Sequence, residues 1–338
     1  MLSIPDRTAH VTKLADWLEL SCLRAPDGRV GFGTLISASD LSTEEQSEDI
    51  SEEDEWQEDL VVSVQAEIDD RRKKVGDDYP FFVDARGESM QLVGELSISG
   101  AVYLFCLFLS HAYDRTIIPE AIAPNIDNHA RDLFQVCATV AAAGYVEGIA
   151  MSFGWPRPDR AGFLAALHRI YGMFGDGTPV AVPPPAAPDD VKDDGIDIIA
   201  WRPAPDGLPG TQYLLGQVAS GKDWSDKSVV SDVARFHQYW FHRQPASPHQ
   251  PAMFIPFCLE PMSNDDTVPL LAVAVDYMQR LTSKFGVVIY RNRMPHFTTR
   301  GIRFHQATGG PVERIDELPL VAHWVQNYSQ ILRMAVAK

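Results

Sequence analysis

The chain predicts an α/β fold in which helices flank a mixed sheet, and three observations carry that prediction. From residue 190 onward, short β-branched runs alternate with longer segments of helical periodicity, as strands and helices of one sheet do. Two long apolar stretches, Ile98 to Tyr113 and His129 to Ala143, read as core helices. At 338 residues, with 45% hydrophobic and 22% charged residues, the chain is long enough to bury one large core or two ordinary ones.

Taken in order, His10 to Leu20 has helical spacing through Leu14, Trp17, Leu18 and Leu20. Residues 40–59 then hold eleven acidic groups and no basic one, and read as a solvated loop or the start of the next helix. Without them the formal net charge of −17 becomes −6, so the acidity is largely one local segment. Trp56 to Lys74 reads as a helix with Leu60, Val61, Val64 and Ile68 on one stripe. Tyr79 to Val83 and Ser89 to Val93 read as two strands joined through Asp84-Ala85-Arg86-Gly87. Helices followed by a hairpin resemble a winged-helix module with the hairpin as the wing; the alternative is a helical cap. This N-terminal, mainly helical module is assigned to residues 1–114 and a second domain to 115–338.

In the second domain, Gly144 is read as the C-cap of the helix that starts at His129. Phe153 to Pro158 forms a turn, and Arg160 to Phe174 a helix. The stretch Pro179 to Pro188 is an extended linker. Beyond Lys222 follow a helix from Ser228 to Phe241, a strand from Met253 to Leu259, a helix from Val268 to Lys284, a strand from Val287 to Arg291 and a helix from Pro319 to Val336.

The negative charge argues against broad attraction to nucleic acid or anionic membrane. The longest apolar run, Ile98 to Leu109, is too short to span a bilayer. Cys22, Cys106, Cys137 and Cys258 lack metal-site spacing and read as free thiols of a reducing cytoplasm. There is no P-loop, no G-x-S-x-G elbow and no H-E-x-x-H.

The chemistry concentrates between Lys192 and Trp224. Asp197 lies inside Gly195-Ile196-Asp197-Ile198-Ile199, and an aspartate buried alone among β-branched residues costs several kcal/mol. It needs a cation or a dense set of donors. Gln217 and Lys222 stand at the end of the next strand-like run, Tyr213 to Ala219. Each residue has a second reading: Asp197 as a strand-end aspartate bonded to turn amides, Gln217 as an edge-strand residue, Lys222 as a surface lysine.

A helix with Phe134-Gln135, a strand with Gly-Ile-Asp, a strand with a polar pair at its end and a helix with Arg235, His237 and Gln238 follow one another. This order resembles the PD-(D/E)XK nuclease superfamily and, within it, the Mrr-like restriction and repair enzymes, over roughly residues 129–292. The resemblance implies a restriction-endonuclease-like α/β core and metal-dependent phosphodiester hydrolysis. It assigns Asp197 and Gln217 as ligands of Mg²⁺ (or Mn²⁺), Lys222 as the lysine that orients water or offsets charge, and Gln135 and Asp194 as supporting groups, with Asp193 adding outer charge. Arg235 and His237 would meet phosphates or, as the second reading has it, lie on a solvated helix face, and Gln135 has a second reading as a helix-surface glutamine.

The family's lysine stands two residues past the Gln217 position, where this chain has Ala219. On an ideal strand Lys222 faces the opposite side, unless a bulge at Ser220-Gly221 restores it. The displaced lysine leaves a second class of function open, a catalytically silent module that binds nucleic acid or protein. The expected partners are nucleic acid, DNA in preference, and an ATPase or recognition protein of a bacterial restriction or anti-phage system. Cutting both strands would favour a homodimer.

Overall fold

A computed structural model describes residues 2–5, 9–42, 50–185, 187–188, 191–262 and 268–334. The chain divides into two compact units, one of residues Met1–Ile126 and Pro319–Lys338, the other of Asp127–Leu318. The sequence places the boundary after residue 114 and keeps the last helix with the second domain. In the fold that helix belongs to the first unit, because its aromatic face finds its partners there.

The first unit runs α1 (Val11–Arg24), β1 (Arg29–Gly31), α2 (Gly33–Ser42), α3 (Ile50–Val75), β2 (Phe81–Val83), β3 (Ser89–Leu92) and α4 (Ile98–Asp114). The expected hairpin is present, and β1 joins it antiparallel to give the order β1-β3-β2. Residues 50–59 of the acidic stretch are helical, and residues 43–49 lie outside the described residues. The C-terminal helix brings Trp324 edge-on to Phe105 of α4 at 4.8 Å between ring centroids. In the same unit Arg71 is fully buried and binds Asp16 at 2.6 Å, Glu19 at 2.9 Å and Glu67 at 2.7 Å. Tyr79 and Tyr103 both donate to Glu19, so the buried carboxylate is matched by donors on several sides.

The second unit runs α5 (Asn128–Val146), β4 (Ile149–Ser152), α6 (Phe163–Phe174), β5 (Thr178–Pro179), β6 (Ile198–Trp201), β7 (Tyr213–Val218), α7 (Val229–Trp240), β8 (Phe241–Arg243), β9 (His249–Phe254), α8 (Leu270–Phe285), β10 (Val287–Ile289) and α9 (Met294–Thr308). The last helix of the chain, α10 (Leu318–Met334), follows. The mixed sheet has the order β10-β9-β7-β6-β4; β4, β6 and β7 are antiparallel neighbours, and β9 and β10 continue parallel to β7. One face, carrying Met151, Ile199, Trp201, Tyr213 and Leu215, packs on Phe163, Leu167 and Ile170 of α6 and Val233, Phe236 and Trp240 of α7. Alternation along the strands sends Ala150, Ile198, Ala200 and Leu214 to the other face, and α5 lies against β4, β6 and β7.

Two sequence expectations change here. Gly144 is not a C-cap: α5 continues to Val146, and Glu147 takes the left-handed cap at φ 50°. Gly144 instead lets α9 approach, since a Cβ there would stand 1.8 Å from the Phe297 carbonyl oxygen. The start of the linker is structured too, with Thr178–Pro179 paired antiparallel to β8. No helix among the described residues is long and apolar enough to cross a membrane.

Candidate functional site

The site is built on a tight turn ahead of β6. Ile196 N–H donates to Asp193 O at 3.1 Å, closing a four-residue turn whose central residues, Asp194 and Gly195, have φ of 51° and 80°. Two successive left-handed residues make a type I′-like turn, which suits Asp and Gly. Gly195 is required twice over, because a Cβ there would also stand 2.9 Å from Gln217 Nε2.

Asp197 follows the turn, one residue before β6 rather than inside it. Its main chain is held on both sides: its N–H donates to Gly216 O, and its carbonyl accepts from Phe153 N–H, Gly154 N–H and Gln135 Nε2. Its carboxylate Oδ2 accepts from Val218 N–H at 2.7 Å, in place of a main-chain acceptor. Oδ1 lies toward Gly154, where a Cβ would approach it to 2.7 Å. Burial, with the like charge of Asp193 second, pushes the Asp197 carboxyl up from 3.8 to about 7. The amide of Val218 and the charge of Lys227 oppose that rise without cancelling it. A buried carboxyl in this condition attracts either a proton or a cation.

Continuing the β6–β7 register, in which Ile198 faces Gly216, sets Gln217 beside Asp197. Gln217 is buried, and its Nε2 donates to Asp232 Oδ2 at 2.6 Å. That bond fixes the amide orientation and leaves Oε1 buried without a donor among the described residues. Asp232 is braced in turn by Arg235 Nη1 at 3.0 Å.

The structure therefore brings Gln135, Asp197 and Gln217 together, with Gln135 grasping the Asp197 main chain and adding a 3.4 Å contact to Ser152 Oγ. Asp194 is turned to α7, accepting from Trp240 Nε1 at 2.8 Å and pairing with Arg235 at 3.4 Å. Arg235 is thus engaged by two carboxylates. His237 is buried in the core, its Nε2 3.4 Å from Tyr213 OH, and burial and the neighbouring His249 push it down to about 4. It is neutral at physiological pH and offers phosphate no cation. Lys222 is exposed on the 3-10 turn Lys222–Asp226. The lysine whose charge reaches Asp197 is Lys227, at the end of that turn.

Sequence reasoning overlooked Asp232, Gly154 and Lys227. The spacing of Asp232 and Arg235, which shares one helix face, is the signal that points to the first; nothing local marks the other two. Among the described residues no three His, Cys, Asp or Glu side chains gather as a protein-only metal cage would. One carboxylate and one neutral amide oxygen instead fit Mg²⁺, which keeps several waters and is commonly held by one or two carboxylates and substrate phosphate. Gln217 Oε1, without a donor among the described residues, and the Asp197 carboxyl, short of counter-charge where it is buried, both fit that ion. No known family model, curated protein or solved structure matches the chain.

Proposed function

We propose that the second unit is a metal-dependent nuclease hydrolysing phosphodiester bonds, with DNA the favoured substrate and Mg²⁺, or Mn²⁺, the ion. The observation that carries this reading is the pairing of a carboxyl held near neutrality by burial with a buried amide oxygen that lacks a donor. One divalent cation answers both. Helix α5, strands β6 and β7 and helix α7 follow in the order that the family resemblance implies, with β4, α6 and β5 inserted between α5 and β6.

When bound, Mg²⁺ supplies a Lewis acid that activates water and offsets phosphate charge. Asp197 would hold the ion and Gln217 would add a neutral oxygen, while Asp232 fixes the Gln217 amide through its Nε2. Gln135 fixes the loop that presents Asp197. Lys222 or Lys227, on the turn after β7, neutralises charge on the reacting phosphate as an ammonium can.

The helix-strand-helix-helix-strand-strand order and β1-β3-β2 sheet of the first unit support a winged-helix-like reading. Its α3 opens with ISEEDEWQED, and that charge repels phosphate. Contact with a partner protein, such as an ATPase or recognition subunit of a defence system, suits it better than reading DNA. A cytoplasmic setting, in which the four cysteines stay reduced, and a homodimer that cuts both strands complete the proposal.

The second reading, a silent binding module, is favoured by Ala219, buried where the family has its lysine, and by the exposure of Lys222. Cleavage of supercoiled plasmid, linear duplex, single-stranded DNA and RNA with Mg²⁺, Mn²⁺ or EDTA separates the two. Metal-dependent cutting that disappears in Asp197→Ala upholds the nuclease; cutting that persists in that variant refutes the site. Binding without cutting under any condition selects the silent module.

A further inference from the structure

A cavity of about 480 Å³ opens in the second unit, walled by Trp155, Phe163 and Trp240, with Pro183, Pro188 and Lys192 among its other lining residues. Its size lies within the range of small-molecule sites. Two of its three aromatic residues are packed in place. Phe163 and Trp240 pack at 4.5 Å between ring centroids, and the Trp240 indole N–H is anchored on Asp194. The Arg157 guanidinium is buried 4.7 Å from the Phe153 ring and 5.6 Å from that of Trp155, and is held by the carbonyls of Ala161 and Lys192. Trp155 itself remains half-exposed.

Trp155 of the cavity wall follows directly on Gly154, which packs beside the candidate site. A Cβ at Gly154 would stand 2.7 Å from Asp197 Oδ1, and Trp155 N–H points to Asp193 Oδ2 at 3.4 Å. The carboxylates on that side are occupied by donors: Asp193 by Gly195 and Trp155, Asp194 by Trp240 and Arg235. Lys192 is exposed and among the lining residues.

We infer that the cavity receives an unpaired nucleobase, stacked on Trp155, of a nucleotide whose phosphate lies at Asp197. The inference rests on the nuclease reading for the phosphate, and it names the substrate: nucleic acid that is single-stranded, or flipped out of a duplex, at the point of cutting. A flat, accessible indole face suits a base better than an aliphatic peptide, because base–aromatic stacking accepts any base. Reaching a base within a duplex would cost a few kcal/mol of unstacking, so unpaired strands bind first.

The test uses the full chain in EDTA, where nothing is cut, with a single-stranded oligonucleotide carrying one 2-aminopurine and a matched strand with an abasic position. The base-bearing strand binds more tightly, and its 2-aminopurine emission is quenched. Trp155→Ala weakens binding on the order of tenfold, the loss of about one stacked base. Ala165→Trp, on the exposed rim of the cavity, fills it and does the same without removing an aromatic wall. Equal binding of both strands, or variants that bind as the wild type does, overturns the inference. Selective binding of an apolar peptide that the two variants abolish, with no quenching by DNA, overturns it as well. Asp197→Ala keeps the two readings apart. Quenching retained with cleavage lost supports both. Quenching retained while metal-dependent cleavage also survives in that variant leaves the base site standing and removes the nuclease site. Cleavage lost in Asp197→Ala with no quenching in any form does the reverse.

Discussion

Replacing Asp197 by Asn in metal-free protein separates a site built for a cation from one built for a proton. Folding raises the carboxyl from 3.8 to about 7, so the fold prefers the protonated form. The stability associated with that preference is fully present below about pH 4 and is lost as the pH rises to about 7. At about 1.36 kcal/mol per pH unit the loss amounts to at most about 4 kcal/mol. This is a ceiling, because water entry and relaxation screen a buried charge. Asn is neutral throughout and can still accept from Val218 N–H. In EDTA the wild type and Asp197→Asn therefore have equal stability near pH 4, while the variant is more stable at pH 8 by up to that amount. Comparing the two proteins at each pH cancels the other titrating groups. Addition of Mg²⁺ at pH 8 raises the wild type and leaves the variant unmoved. Denaturant unfolding followed by tryptophan fluorescence reads both arms. A difference between the two proteins that stays constant from pH 4 to pH 8 would refute the argument that burial holds this carboxyl near neutrality.

Three further outcomes follow from the geometry. Asp232→Ala frees the Gln217 amide, and metal-supported cleavage falls about 10–100-fold, as for other residues that orient ligands; Asp232→Asn, which retains an acceptor, recovers part of it. Gly144→Ala drives a methyl group into the Phe297 carbonyl and destabilises the second unit at the upper end of the about 1–3 kcal/mol typical of overpacking, measured by chemical unfolding. Arg71→Ala leaves Asp16 and Glu19 buried without their guanidinium, costing about 3–5 kcal/mol in the first unit; a midpoint unchanged in urea would contradict it.

The sequence announces elements wherever periodicity has a side chain to act on. The runs that became α1, α3, α4, α5, α6, α7, α8 and α10 all carry an apolar stripe, and both strands of the hairpin are bounded by turn residues. Helix α9 stayed hidden because its buried positions, Met294, Pro295, Thr298 and Gly301, include one large apolar side chain and no apolar stripe, and Gly301 permits close approach to α5. Strands β1 and β4 have only three and four residues, too few to show a period. In the site, Asp197 stood out because an acid between isoleucines conflicts with its surroundings. The grip of Asp232 on Gln217 spans fifteen residues and a turn, and no local pattern records it.

The division of the chain has a consequence for how it comes off the ribosome. The second unit is an insertion: its chain is complete once residue 318 has emerged, whereas the first unit waits for residues 319–338. Until then Phe105 and Phe108 lack the rings of Trp324 and Tyr328 that cover them. A chain cut short before residue 319 would thus carry its candidate site assembled and its first unit left with a bare aromatic seam. Such a product would be a natural target for chaperones and proteases.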